Sequence, residues 1–137
     1  MKIFSLCVLV AGMLIGAVSV TSLAMDFKPY PGSKMDENAT RDASAAAPAK
    51  LSEVYTTAES FEKVYAFYKG QYKEVPMSRP PPKLASGQQI QWAFFILDGG
   101  KSLADSNFWM KIQRPYVGRL DGKDNRDLTV VQTVRTK

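Results

Sequence analysis

Large apolar and polar side chains alternate most sharply in three short stretches of the second half of the chain. In "QQIQWAFFIL", Ile90, Trp92, Phe94 and Ile96 fall on one side and Ala93, Phe95 and Leu97 on the other. A period of two with apolar residues on both sides predicts a strand covered on both faces, hence interior to a sheet. "NFWMKIQR" sets Phe108, Met110 and Ile112 against Trp109, Lys111 and Gln113, one face apolar and one mixed. "LTVVQTVR" sets Leu128, Val130 and Val134 against Thr129, Val131, Thr133 and Arg135. Both read as strands, and Pro115 ends the first of them or brings it to an edge. Between them, Asp121-Gly122 carries a hairpin signal. Upstream, "LSEVYTT" alternates more weakly and predicts a short strand.

The period changes after that strand. Phe61, Val64, Tyr65, Tyr68 and Tyr72 recur every three or four residues, with Phe67 widening the stripe, while Glu62, Lys63, Ala66, Lys69 and Lys73 face away. This is an amphipathic helix. Thr56 with Glu59 has capping-box spacing and Ser60 is a second candidate N-cap, so the start is open by a turn. Gly70 stands near the end. In "VPMSRPPPKLASG", three consecutive prolines remove donors and impose an extended crossing from helix to sheet. The expected fold is α+β: one long amphipathic helix packed on a mainly antiparallel sheet of about four to five strands. Phe61, Val64, Tyr68, Trp92, Phe94 and Phe108 are the side chains expected between helix and sheet.

The chain before residue 51 divides in two. Lys2 precedes an apolar run from Leu6 to Val20, and Ser22-Leu23-Ala24 places small side chains where a signal peptidase reads. Residues 1–24 are therefore expected to be a cleaved signal peptide, and the protein periplasmic or secreted. A retained anchor is the alternative, because residues 3–23 reach the length of about 20 that a membrane helix needs. Residues 25–50, with "DENATRDASAAAPAK", are poor in large apolar side chains and read as a flexible N-terminal segment. Phe27 and Tyr30 are positioned to pin its start onto the domain formed by residues 51–137.

Composition narrows the chemistry. Cys7 is the sole cysteine, so no disulfide forms within the chain, and there is no histidine. The lack of histidine removes the usual general base, the Ser-His and Cys-His pairs and the commonest metal ligand. Acids in the second half lie at element ends or in loops, where turn residues are the norm. The group Asp121, Asp124, Asn125 and Asp127 is interrupted by Lys123 and Arg126 and lacks calcium-loop spacing. No cofactor or metal is expected. Charge is uneven: four basic and seven acidic residues over 25–62, thirteen basic and six acidic over 63–137. Lys83, Lys111, Arg114 and Arg119 are the candidate patch for an anionic partner, an envelope component or an acidic protein. The export signal argues against nucleic acid as that partner.

"DGGKS", Asp98 to Ser102, invites a nucleotide reading. A phosphate loop needs a first glycine five residues before the second, and Phe95 occupies that position. The stretch sits between two predicted strands, where glycines serve a turn. No nucleotide is expected as a ligand.

The entry Tyr30-Pro31-Gly32 and the helix pattern T-x-x-S-x-E-K-V-x-x-F-Y-K, read here from Thr57 to Lys69, resemble small exported bacterial proteins of unknown function. The resemblance implies a fold and a compartment but carries no site, since Val64, Phe67 and Tyr68 are packing positions. The function expected is a noncatalytic exported interaction or binding module. The alternatives are a carrier of a small apolar ligand between helix and sheet and, third, an enzyme with a non-histidine mechanism. N-terminal sequencing of the exported protein should begin Met25-Asp26-Phe27; an intact Met1 in the membrane fraction would establish the anchor instead.

Overall fold

A computed structural model describes residues 27–116, 119–120, 123–124 and 127–137. Residues 1–24, expected to be a signal peptide, lie outside the described residues. Six strands form one antiparallel sheet: β1 (Lys34–Met35), β2 (Lys50–Thr57), β3 (Lys73–Val75), β4 (Gln91–Ile96), β5 (Phe108–Arg114) and β8 (Thr129–Thr136). Their spatial order is β1-β2-β8-β5-β4-β3. A separate two-stranded ribbon, β6 (Arg119–Leu120) with β7 (Lys123–Asp124), pairs on either side of Asp121-Gly122. Among the described residues two helices complete the fold, α1 (Glu37–Ala46) and α2 (Phe61–Lys69).

The α+β class stands, but the expected single long helix on about four to five strands does not. The described residues form two short helices and a six-stranded sheet. The added elements come mainly from the stretch read as a flexible segment. Asp36 caps α1 by accepting a hydrogen bond from the Ala39 amide at 2.9 Å, and Glu37 lies in the first turn. Alanine is the best helix former, and in this chain Ala39, Ala43 and Ala46 supply a narrow, shallow stripe. That stripe is too weakly apolar to stand out by periodicity, yet it suffices for close approach to a strand. The third unforeseen element, β3, is three residues long and follows directly on the turn after α2.

Alternation within the strands sets two faces, and the register carries them across the sheet. On one face lie Phe95, Met110, Thr133 and Glu53 in one row and Ala93, Ile112, Val131 and Tyr55 in the next. Helix α2 covers this face. Ser60 caps it, accepting from the Lys63 amide at 3.3 Å, and Val64 and Tyr68 are its fully buried residues. They pack with Phe95, Leu97, Met110 and Ile112, each at most 1 % exposed. Phe27 stacks on Tyr68 with centroids 5.8 Å apart, Tyr30 meets Phe67 edge-on at 5.3 Å, and the Tyr68 hydroxyl donates to the Lys28 carbonyl at 2.9 Å. The start of the described chain is thus tied to α2. Burial and the neighbouring Tyr72 push the Tyr68 hydroxyl well above its ordinary titration range.

The opposite face holds Phe94, Lys111, Gln132 and Val54 in one row and Ile96, Trp109, Val134 and Ser52 in the next. Trp92 and Phe94 therefore do not lie under α2 with Phe61, Val64, Tyr68 and Phe108. The alternation had assigned Phe94 and Phe95 to opposite sides of β4, and Phe95 is the one the helix covers. Helix α1 packs on this second face at its β2 edge, where Ala39 meets Val54 and Val130.

Truncating Phe95 to Ala should destabilise the fold by about 3 to 5 kcal/mol, the range for a buried ring whose cavity does not collapse. Leu51→Ala, at a residue 52 % exposed, should stay within about 0.5 kcal/mol. Urea unfolding monitored by circular dichroism measures both.

Candidate functional site

The site begins at the edge of β2. Strand β1 pairs with β2 only through Lys34↔Thr56 and Met35↔Tyr55, so the rest of that edge must find other partners. Helix α1 provides them. The Asp36 amide donates to the Val54 carbonyl at 2.8 Å, and the Val54 amide donates to Thr40 Oγ1 at 2.9 Å. Ser44 Oγ donates to the Ser52 carbonyl at 3.4 Å. Thr40 and Ser44 on α1 thereby fix the helix along the strand edge, and Ala39 and Ala43 face the sheet.

Small side chains leave room. Between α1 and the sheet lies an open groove of about 440 Å³, lined by Asp42, Ala43, Ala46, Ala47, Lys50, Ser52, Trp109, Tyr116, Gln132 and Val134. Its volume lies within the range of ligand clefts, roughly 300 to 1,000 Å³. Ala43, Ala46 and Ala47 line the helix side, Ser52, Gln132 and Val134 come from β2 and β8, and Trp109 comes from β5. Tyr116, half-buried, packs beside Ala43 against the Val54–Val130 cluster. Burial, with the charges of Asp42 and Asp36 adding to it, pushes its hydroxyl above the ordinary value.

The four basic residues of the candidate patch are placed differently from one another. Lys111 lies on the groove face, directly across from Gln132 and Phe94. Arg114 lies on the α2 face: its guanidinium donates to the Glu59 carbonyl and to Thr129 Oγ1, each at 3.1 Å, and pairs with Asp127 at 2.8 Å. Lys83 is exposed in the proline-rich crossing, bridged to Gln89. Arg119 belongs to β6, and its side chain lies outside the described residues. Lys111 and Arg114 are three residues apart in one strand, an odd spacing that sends side chains to opposite faces; the sequence already contained that signal. The groove residues on α1 left no comparable trace, because alanines in a polar stretch do not mark a wall.

The "DGGKS" loop has an internal organiser. Asp98 Oδ1 accepts from the Gly100 amide at 3.1 Å and from Ser106 Oγ at 2.7 Å. Asp98 Oδ2 accepts from the amides of Asn107 at 2.6 Å and Phe108 at 3.1 Å. Backbone donors that a phosphate loop would aim at its ligand are here aimed at the chain's own carboxylate. Gly99 takes φ 75°, and a Cβ on Gly100 would come within 3.1 Å of the Ser106 backbone, so both glycines serve this turn. Desolvation, the largest single influence on Asp98, favours its protonated form. The hydrogen bonds from Ser106, Asn107, Gly100 and Phe108 together outweigh it and hold the carboxyl below its usual value. Among the described residues no three histidine, cysteine or acidic side chains gather as a metal site. Of the acidic group in the late loop, Asp127 pairs with Arg114, and the side chains of Asp121, Asp124 and Asn125 lie outside the described residues.

Lys101 is exposed, so Lys101→Ala should change stability by no more than about 0.5 kcal/mol, and calorimetric titration should show no ATP binding to either form. Asp98→Asn should cost roughly 1 to 2 kcal/mol, the low end for bonds to a charged group because the carboxylate is solvent-accessible. The folded-state value of Asp98 is depressed, so its stabilisation is full above the unfolded carboxyl value of about 4 and disappears as pH falls through the folded value. The stability difference between wild type and Asp98→Asn, measured by unfolding at pH 7 and pH 2.5, should therefore be smaller at the lower pH.

Comparison with protein-family models, with curated proteins and with solved structures returned no match.

Proposed function

We propose that the protein is a noncatalytic exported binding module whose ligand occupies the groove between α1 and the sheet. The observation that carries this reading is the groove itself, about 440 Å³ with alanine, tryptophan, tyrosine and valine along its sides. Packed interfaces are ordinarily filled by large side chains, and the interface beneath α2 is filled in that way by Tyr68, Phe95 and Met110. The contrast between the two helices supports a receptive surface on the α1 face. A carrier of a small apolar ligand accordingly fits here rather than beneath α2. The polar groups lining the groove, Ser52, Gln132, the Tyr116 hydroxyl and the charged Asp42 and Lys50, suit orientation of a ligand more than reaction with one. Export is supported by the leader pattern at residues 1–24, and a noncatalytic role by the absence of histidine from the whole chain.

A ligand bound only to the folded state raises the melting temperature by mass action, by about 2.7 kcal/mol of stability at a concentration one hundred times Kd. A panel of medium-chain alkyl and aryl compounds should contain members that stabilise the wild type. Ala46→Leu, which puts a branched side chain into the groove from an exposed helix position, should fold normally and lose that response. If no compound shifts the melting temperature, or if Ala46→Leu retains the full shift, the groove is not the binding site.

A further inference from the structure

We infer that the groove takes a small amphipathic anion, a carboxylate with an alkyl or aryl body, whose apolar part lies against Trp109 and Tyr116 and whose head is held by Lys111. The inference rests on the groove being the binding site and adds the class of its ligand. Lys111 occupies the face of β5 that bears Trp109, two residues earlier, and stands directly across from Gln132 of β8. Trp109 and Gln132 both line the groove. Lys111 is not itself one of the residues lining the groove; it stands next to two that are, on the same face, and its four-carbon stem is long enough to carry the ammonium to the groove's rim.

The charges make the choice of an anion. The groove lining itself holds one acid, Asp42, and one base, Lys50, which balance formally. Lys111 adds a positive charge with no hydrogen-bond or ion-pair partner among the described residues, whereas Arg114, on the other face of the same strand, has three. A largely buried ammonium without a counter-charge is costly. Burial alone holds the Lys111 amine below the ordinary lysine range. No fully enclosed side-chain nitrogen or oxygen among the described residues lacks a partner, so the Lys111 ammonium opens to solvent or to the groove rather than being sealed. A carboxylate arriving with an apolar body supplies the missing partner through a charge-assisted bond. Gln132, half-buried beside it, offers an amide donor to the same head group. Asp42 lines the groove with Tyr116 and its charge repels an anion from that wall, which leaves the Tyr116 side to the ligand's apolar part.

The test is calorimetric titration of the full protein with three ligands that share one chain and differ in the head: decanoate, decan-1-ol and decylammonium. Decanoate should bind about tenfold or more tightly than decan-1-ol, the difference expected of a charge-assisted bond in a desolvated site, and decylammonium should bind most weakly. Lys111→Met should lower decanoate affinity to that of the alcohol and leave alcohol binding intact, while Lys111→Arg keeps the carboxylate preference. Lys111→Gln serves if the methionine variant does not fold. Equal affinity for decanoate and decan-1-ol in the wild type, or a carboxylate preference that survives Lys111→Met, would overturn the assignment of the head group while leaving the groove reading in place. Failure of all three ligands to bind would remove both.

Discussion

Strand β8 holds the molecule together. It lies between β2 and β5, paired with β2 along eight residues and with β5 along six. Within the sheet, β1 and β2 connect to β5, β4 and β3 through these two ladders. The pairing joins the end of the chain to segments far back in sequence, so each contact closes a long loop before it is rewarded. It also fixes the register, and register decides which side chain meets which helix. Val131 reaches the α2 side and Val130 the α1 side because Thr129 is opposite Thr57 and not shifted by one residue.

The two faces are then built by opposite means. Beneath α2 the chain places rings and long aliphatics, and the contact is made by volume. Tyr68 touches Phe27, Phe67 and Tyr72 at centroid distances between 4.9 and 6.1 Å. Beneath α1 it places alanines, and the contact is made by hydrogen bonds that Asp36 and Ser44 donate to the open edge of β2 and that Thr40 accepts from it. A helix secured along a strand edge needs no continuous apolar interface, and the space left over is the groove. The same helix covers much of the sheet edge beyond the two residues of β1. The other edge, β3, is three residues long and runs into Pro76 and the proline-rich crossing, which also limits pairing with another chain.

Polar side chains tie the loops to this frame. Asp98 gathers the donors of the turn between β4 and β5, and Arg114 with Thr129 holds the entry of α2, through the Glu59 carbonyl, to the start of β8. Both groups are satisfied within the chain. Lys111 differs from them in having its charge on a face where no described group answers it, and the functional reading turns on that difference.

Alternation and helical period are local properties, so the sequence by itself determined the strands β2, β4, β5 and β8, the helix α2 with its buried stripe, and the pinning role of Phe27 and Tyr30. Proline and glycine chemistry likewise marked the crossing and the turn at Asp98, because backbone constraints act within a few residues. The short strands β1 and β3, helix α1 and the order of strands depended on tertiary structure. A two-residue strand exists only where a partner edge receives it, and an alanine-rich helix of ten residues is marginal until it is packed. The groove belongs wholly to this second class. Its lining comes from α1, β2, β5, β8 and Tyr116, residues spread from 42 to 134, and no local pattern announces that small side chains on one element will face an aromatic on another. Lys111 stands between the two classes. Its place on the Trp109 face of the strand was visible in the chain, but only the pairing of β5 with β8 set it beside Gln132.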